Sequence, residues 1–107
     1  VGKRVAMEWA LTGDFVTAQR AYEVGFVNRV TEGAAIDAAI ELATTVAANG
    51  PLALKATKKI INESYDWTSE EAWKKQNEIT APVFTSKDAQ EGSLAFAQKR
   101  KPDWKGE

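Results

Sequence analysis

The side chains of this sequence that could do chemistry are carboxylates and amines, because the chain contains neither cysteine nor histidine. Their absence excludes thiolate nucleophiles, disulfides, Ser-His triads and metal sites built on these ligands. Glu70 and Glu71 are adjacent carboxylates that could share general acid-base work. Thr68 precedes Glu71 by three residues, which favours helix capping and stabilisation of the helix dipole instead.

The remaining carboxylates show no spacing that implies a shared site. Asp14, Glu23, Glu32 and Asp37 lie in separate predicted elements. Glu8 stands among apolar neighbours and is interpreted as a helix-edge residue rather than as a general base. The glycines are isolated, so no phosphate-binding loop is present. We therefore expect no catalytic residue and no metal ligand in this chain.

Two basic segments could bind a phosphorylated ligand. Lys55, Lys58 and Lys59 form one face of a predicted helix, and a solvated face is favoured over a cluster of phosphate-binding charges. Residues 99–104 place cations beside Trp104, an arrangement that could clamp a nucleotide by stacking and charge. Basic last turns are ordinary in helices, so this segment alone does not decide between binding and dipole stabilisation.

The elements that must position these residues are mainly α-helices, with a trace of β in the first third of the chain. Residues 26–30 are β-prone and predict a brief strand or extended segment. Trp67 and the Thr68/Glu71 pair predict a hydrophobic staple and a capping box. The last helix is expected to turn Ala89, Gly92, Leu94, Ala95 and Phe96 inward. Apolar spacing and capping signals predict helices over 3–12, from 17 to about 24, 34–48, 51–64, 68–80 (ended by Pro82) and 87–100.

Composition limits the class of protein and its partners. A chain of 107 residues has the size of one domain, and a net charge of −1 disfavours nucleic acid or an anionic membrane as partner. No apolar run is long enough to cross a bilayer, and no signal-peptide pattern opens the sequence. We expect a cytoplasmic protein with no membrane partner, in which the four Trp residues anchor a core or an interface.

Three stretches in register resemble the C-terminal part of the enoyl-CoA hydratase/isomerase (crotonase) family. The first contains AME at 6–8, LTGD at 11–14 and GFVNRV at 25–30. The second is ANGPLALKATK at 48–58. The third contains Ser86, Asp88, EG at 91–92, AF at 95–96, KRKP at 99–102 and Trp104. Together they extend over nearly the whole chain.

This resemblance implies a portion of a longer enzyme of acyl-CoA and fatty acid metabolism. Residues 1–32 would end the family's spiral core, and residues 33–107 would form its helical CoA-binding and trimerisation region. The family's oxyanion-hole amides and both catalytic glutamates match no position here, so the isolated chain is expected to be inactive. Coenzyme A would enter as part of the thioester substrate, without a separate cofactor. The implied partners are an acyl-CoA and further copies of the chain, as a trimer or hexamer.

The resemblance also implies roles for single residues. In the family, a Phe and a Lys of the final helix contact the nucleotide end of coenzyme A in a neighbouring subunit, and the matching positions are Phe96 and Lys99. Lys58 is a further candidate for a phosphate contact. Phe84 stands where dihydroxynaphthoyl-CoA synthases carry a tyrosine. Because phenylalanine lacks that hydroxyl, Phe84 is expected to line the acyl pocket or a subunit interface.

Two functions from different classes follow. The first is a C-terminal portion of an enzyme that hydrates a trans-2-enoyl-CoA to a 3-hydroxyacyl-CoA, with an isomerase or dehydratase as the alternative parent. The second is a stand-alone helical binding or oligomerisation module without catalysis. In either case, we expect apolar surface on the first 30 residues to drive self-association.

Overall fold

The computed structural model describes all residues from 1 to 107 and contains helices but no strand. The prediction of a mainly α fold is confirmed. The chain forms two compact units, residues 1–42 and residues 43–107, and the division falls within the third helix. The helices are α1 (Lys3–Thr12), α2 (Ala18–Glu23), α3 (Ala35–Ala47), α4 (Pro51–Glu63), a 3₁₀ turn (Ser64–Asp66), α5 (Ser69–Phe84) and α6 (Lys87–Ala97).

The predicted trace of β at residues 26–30 is absent. A strand needs the backbone of a neighbouring strand, whereas here the N–H groups of Phe26 and Val27 donate to the carbonyl of Ala21 at 2.8 and 3.4 Å. The Phe26 ring also packs edge-on against Trp9, with 5.8 Å between ring centroids. The segment is therefore a bend that returns to α2, and its aromatic residue packs locally.

The helix starts follow the predicted capping chemistry. The Thr17 hydroxyl accepts a hydrogen bond from the Arg20 amide at 3.1 Å. Thr68 and Glu71 form the expected capping box: the Glu71 amide donates to Thr68 Oγ1 at 3.3 Å, and the Thr68 amide donates to Glu71 Oε2 at 3.1 Å. That backbone hydrogen bond, with the ammonium of Lys75, lowers the pKa of Glu71 below its usual range. Glu71 is thus a cap, as the sequence favoured.

Two predicted helix ends are wrong. Helix α5 continues past residue 80 to Phe84 and contains Pro82. Pro82 lacks an N–H and cannot donate to the carbonyl four residues earlier, yet the helix continues through it for two more residues. The Thr85 hydroxyl donates to the carbonyls of Ala81 and Pro82 at 3.3 Å each. Helix α6 ends at Ala97 instead of residue 100, because Lys99 takes a left-handed backbone conformation.

The buried apolar core is small and consists of alanines. Ala21 is the buried apolar residue of the first unit, and Ala56 and Ala95 are those of the second. No large side chain is fully buried, and Phe15, Tyr65 and many other large apolar residues are exposed. So much uncovered apolar surface is unusual for a monomer and is typical of surfaces that contact other protein.

Candidate functional site

The turn that follows α6 has an unusual backbone. Lys99 is the only non-glycine residue with a positive φ, at +53°. Its amide donates to the Phe96 carbonyl at 3.1 Å, and the Arg100 amide donates to the Ala95 carbonyl at 3.0 Å. These hydrogen bonds form a Schellman motif, in which glycine is the usual residue at the left-handed position. A lysine there costs about 1 kcal/mol relative to glycine.

Glu91 binds the chain that follows this turn. The Arg100 guanidinium pairs with both carboxylate oxygens of Glu91, with Nη2 to Oε2 at 2.9 Å, and the Asp103 amide donates to Oε1 at 2.8 Å. Hydrogen bonding from Arg100, reinforced by the Asp103 amide, lowers the pKa of Glu91 from 4.5 to about 2. The same pair raises the pKa of Arg100. The carboxylate is therefore ionised at all physiological pH values.

Asp88 binds the end of the chain. Its side chain is buried, with 5% of the residue exposed, and it accepts hydrogen bonds from the amides of Lys105 at 2.8 Å and Gly106 at 3.0 Å. The Asp88 amide in turn donates to the Glu107 carbonyl at 2.9 Å. Each carboxylate oxygen of Asp88 thus accepts a hydrogen bond from a backbone amide, which compensates for the burial of the charge.

Trp104 ties the same segment to the connection between α3 and α4. Its indole N–H donates to the Ala48 carbonyl at 2.9 Å. The ring lies on Gly50 and Gly92, and a Cβ added at Gly92 would lie only 2.9 Å from Trp104 Cη2. Gly92 therefore allows close approach of the indole to α6. We name residues 98–107 the C-terminal strap, because Glu91, Asp88 and Trp104 hold it along the molecule.

Ion pairing leaves few cations free in the strap. Arg100 pairs with Glu91, and Lys105 pairs with Asp103 at 2.6 Å, which raises the pKa of Lys105. Lys99 and Lys101 take part in no ion pair. The positive charge available to an anionic ligand at the end of α6 therefore belongs to these two lysines.

The predicted site residues fall in different places. Phe96 lies in the last turn of α6 and Lys99 in the turn that follows it, whereas Lys58 is exposed on α4. Phe96 was expected to face inward with Ala95; Ala95 is buried, but Phe96 points 100° further around the helix and is 87% exposed. That expectation is wrong, and the exposed ring is available to a partner or ligand.

Phe84 ends α5 at the edge of an open cleft of about 340 Å³. The Phe84 side chain is 78% exposed, and the cleft is mainly apolar, with Leu52, Val83 and Trp104 in its wall. This position is compatible with both roles expected for Phe84, an acyl pocket and an interface.

A second cleft, of about 400 Å³, lies between α4 and α5. Lys55 and Lys59 lie at its wall together with apolar residues such as Leu52 and Ile79. The sequence favoured a solvated lysine face, and both lysines are exposed. They nonetheless border a concave surface that helical periodicity on α4 alone could not reveal.

No group of three or more Asp and Glu residues is arranged to hold a metal ion. None of the helices combines the length and the apolar character that crossing a bilayer requires.

Sequence reasoning missed Glu91, Arg100, Asp88 and Trp104 as a connected set. They were noted as matches to a family pattern or as a basic last turn, without any contact between them. The signal was the carboxylates at 88 and 91 followed by a strap with four cations and one carboxylate at 99–105. This charge pattern indicates a contact between α6 and the strap only once α6 is known to end at Ala97.

Comparison with known proteins supports the family resemblance over the whole chain. The pattern of the family described as enoyl-CoA hydratase/isomerase matches residues 1–107. Enoyl-CoA hydratase EchA19 of Mycobacterium tuberculosis is 42% identical over 101 residues, which cover 94% of this chain and 38% of that protein. Carnitinyl-CoA dehydratase of Proteus mirabilis is 38% identical over 107 residues, covering 95% of this chain and 41% of the relative.

A solved structure shares the fold. The crystal structure of an enoyl-CoA hydratase from Mycobacterium tuberculosis H37Rv matches with a TM-score of 0.97 and 52% identity, covering 100% of this chain and 43% of that one. The chain thus spans about two fifths of the length of these proteins, in their C-terminal part. The resemblance seen in the sequence is confirmed, and the chain belongs to the enoyl-CoA hydratase/isomerase (crotonase) family.

Proposed function

We propose that this chain is the coenzyme A-recognition and assembly part of an enoyl-CoA hydratase-type enzyme. The reaction of the whole enzyme would be hydration of a trans-2-enoyl-CoA to a 3-hydroxyacyl-CoA. The observation that carries the proposal is the match over the full chain to a hydratase crystal structure at 52% identity. The relatives, an enoyl-CoA hydratase and a carnitinyl-CoA dehydratase, also support it.

The turn after α6 supplies the binding chemistry. Lys99 presents an ammonium group that no carboxylate of the chain neutralises, and an ammonium is a suitable point charge for a phosphate. Phe96, one helical turn earlier, exposes an aromatic face on which an adenine can stack or pack. Coenzyme A carries phosphates and adenine at one end, so these residues would recognise its nucleotide end. No separate cofactor is needed.

Lys58 and Phe84 have secondary roles in this proposal. Lys58, exposed on α4, would add a phosphate contact. Phe84 would line the acyl end of the site or pack against another subunit, supported by its exposure beside a mainly apolar cleft. A short apolar side chain at 84 would then change acyl preference or assembly, but not the recognition of the nucleotide.

Assembly is the second part of the proposed function. Large exposed apolar residues such as Leu11 (77%) and Phe15 (107%) in the first unit need a protein partner. We propose a homo-oligomer, a trimer or a hexamer in the whole enzyme, working in the cytoplasm on acyl-CoA thioesters of fatty acid metabolism. Light scattering on the chain should show self-association that weakens when Phe15 is changed to Ser. A strict monomer at high concentration would contradict this part.

Calorimetric titration of the chain with coenzyme A tests the recognition. Lys99→Ala should weaken binding about tenfold, the effect of losing one charge-assisted contact. Lys74→Ala is the matched control, since Lys74 is exposed on α5, away from the α6 turn, and takes part in no ion pair; its effect should be about twofold or less. Equal affinities of the wild type and Lys99→Ala would refute the assignment.

A second function remains open, a helical binding or oligomerisation module without catalysis. The absence of a candidate general base in these 107 residues favours it, and the isolated chain is expected to be inactive. Hydration of crotonyl-CoA by the pure chain, above the rate of the Lys99→Ala variant, would contradict that expectation. For the whole enzyme, the product formed from a trans-2-enoyl-CoA separates a hydratase from an isomerase or a dehydratase.

A further inference from the structure

We propose that Glu91 is a positioning residue for ligand recognition: it holds the strap so that Lys99 keeps its left-handed backbone and presents its ammonium to the ligand. Glu91 itself would touch no ligand. This inference rests on the proposed coenzyme A contact of Lys99, and it concerns how the fold maintains that contact.

The turn needs an external restraint. Lysine disfavours a φ of +53°, and on an unrestrained chain it would leave this conformation for ordinary helical or extended backbone. On its N-terminal side, hydrogen bonds from the Lys99 and Arg100 amides to the carbonyls of Phe96 and Ala95 anchor the turn to α6. The Arg100 bond requires the left-handed backbone at Lys99, so it is lost when Lys99 leaves that conformation.

Glu91 supplies the restraint on the C-terminal side. Its carboxylate binds the Arg100 side chain through both oxygens and the Asp103 backbone at 2.8 Å. Arg100 directly follows Lys99, so the left-handed residue lies between two anchored points. The Glu91 side chain is 22% exposed, so this contact is better shielded from water than a fully exposed ion pair.

Glu91 also determines which cation remains free. Arginine binds phosphate with a planar fork of donors and would compete with Lys99 for an anionic ligand. Here the fork faces Glu91, and the Arg100 Nε donates to Gln98 Oε1 at 2.7 Å. With Arg100 occupied, Lys99 is the free cation of the turn itself. One carboxylate therefore fixes both the backbone and the charge of the site.

Amide hydrogen exchange without ligand gives the first test. Glu91→Gln keeps the side-chain size but removes the charge, so exchange at Lys99, Arg100 and Asp103 should accelerate about tenfold or more. Glu8→Gln, an exposed α1 carboxylate changed in the same way, should leave these amides unaffected. Glu91→Asp, which keeps the charge, should restore part of the protection. Unchanged exchange in Glu91→Gln would overturn the proposal.

A double-mutant cycle on coenzyme A affinity gives the second test. Glu91→Gln should weaken binding about fivefold in the wild-type background and have no effect when Lys99 is already alanine. Equal effects in both backgrounds would mean that Glu91 acts independently of Lys99, and the proposal would be wrong. If Lys99→Ala alone leaves affinity unchanged while Glu91→Gln still loosens the turn, the proposed function fails, and Glu91 serves only the fold.

Discussion

The two compact units are stabilised in different ways. In residues 1–42, the tertiary contacts include the Trp9–Phe26 ring pair and an exposed ion pair between Arg29 and Glu41 at 3.3 Å. In residues 43–107, hydrogen bonds join residues far apart in sequence, from Trp104 to Ala48 and from the strap to Asp88. The second unit therefore fixes its own site geometry, whereas the first leaves most of its apolar side chains uncovered.

This difference matches the division of labour in the proposed function. A site that must hold a lysine in a left-handed turn needs a rigid support, which α6 and the strap provide. In the proposed function, the first unit would end the spiral core of the whole enzyme, and its exposed Leu11 and Phe15 would contact the rest of that core. Two of the large exposed residues of the second unit, Phe84 and Phe96, lie beside the cleft and at the end of α6, respectively.

The largest expected effect is the loss of the Trp104 anchor. Trp104→Ala removes a half-buried indole together with its hydrogen bond to Ala48, and should lower the free energy of unfolding of the second unit by about 2–3 kcal/mol. Trp73→Ala is the control, since Trp73 is 71% exposed; it should cost below about 0.5 kcal/mol. Urea unfolding followed by amide signals of residues 43–107 measures both. Similar losses would show that the strap does not stabilise this unit.

Acid should loosen the strap by protonating Glu91. The pKa of Glu91 in the folded chain is about 2, below its ordinary 4.5, so the carboxylate stabilises the fold above about pH 4.5. This stabilisation should decline as the pH falls from about 4.5 to about 2. Amide protection at Lys99 and Arg100, measured over this range, should decrease in the wild type. In Glu91→Gln, protection should be low throughout, and a parallel pH dependence in that variant would assign the transition to other carboxylates.

The smallest effect is expected in the first unit. Arg29→Gln breaks a pair whose side chains are 47% and 75% exposed, so it should change the free energy of unfolding by less than about 0.5 kcal/mol. Thermal unfolding followed by the signals of residues 1–42 tests this. A loss near that of Trp104→Ala would remove the contrast between the two units.

Local patterns predicted much of the fold. Thr17, Pro51 and the Thr68/Glu71 pair are signals of helix starts that can be recognised in a window of three or four residues. A helix begins at each of these signals in the structure. The trace of β was wrong because strand pairing depends on a partner that the sequence of residues 26–30 does not specify. The predicted end before Pro82 was wrong because the loss of one helix hydrogen bond at a proline does not by itself end a helix.

The contacts that hold the strap in place could not be predicted from such local sequence patterns. Glu91 contacts Asp103 across 12 positions, and Trp104 contacts Ala48 across 56, so nothing in a short window indicates these contacts. The family resemblance pointed to Phe96 and Lys99, but the left-handed backbone at 99 required the structure. What the sequence provided was the identity of the groups, and what it lacked was the geometry that restrains them.

The most direct test of coenzyme A recognition is an NMR titration of the chain with coenzyme A, observing every backbone amide. We expect the largest chemical-shift changes at Phe96, Lys99 and their neighbours in the turn, with small changes in α1. A titration with pantetheine, which lacks the nucleotide, should leave that turn unperturbed. Shift changes confined to residues away from the α6 turn, or identical changes with both ligands, would contradict recognition of the coenzyme A nucleotide by this turn.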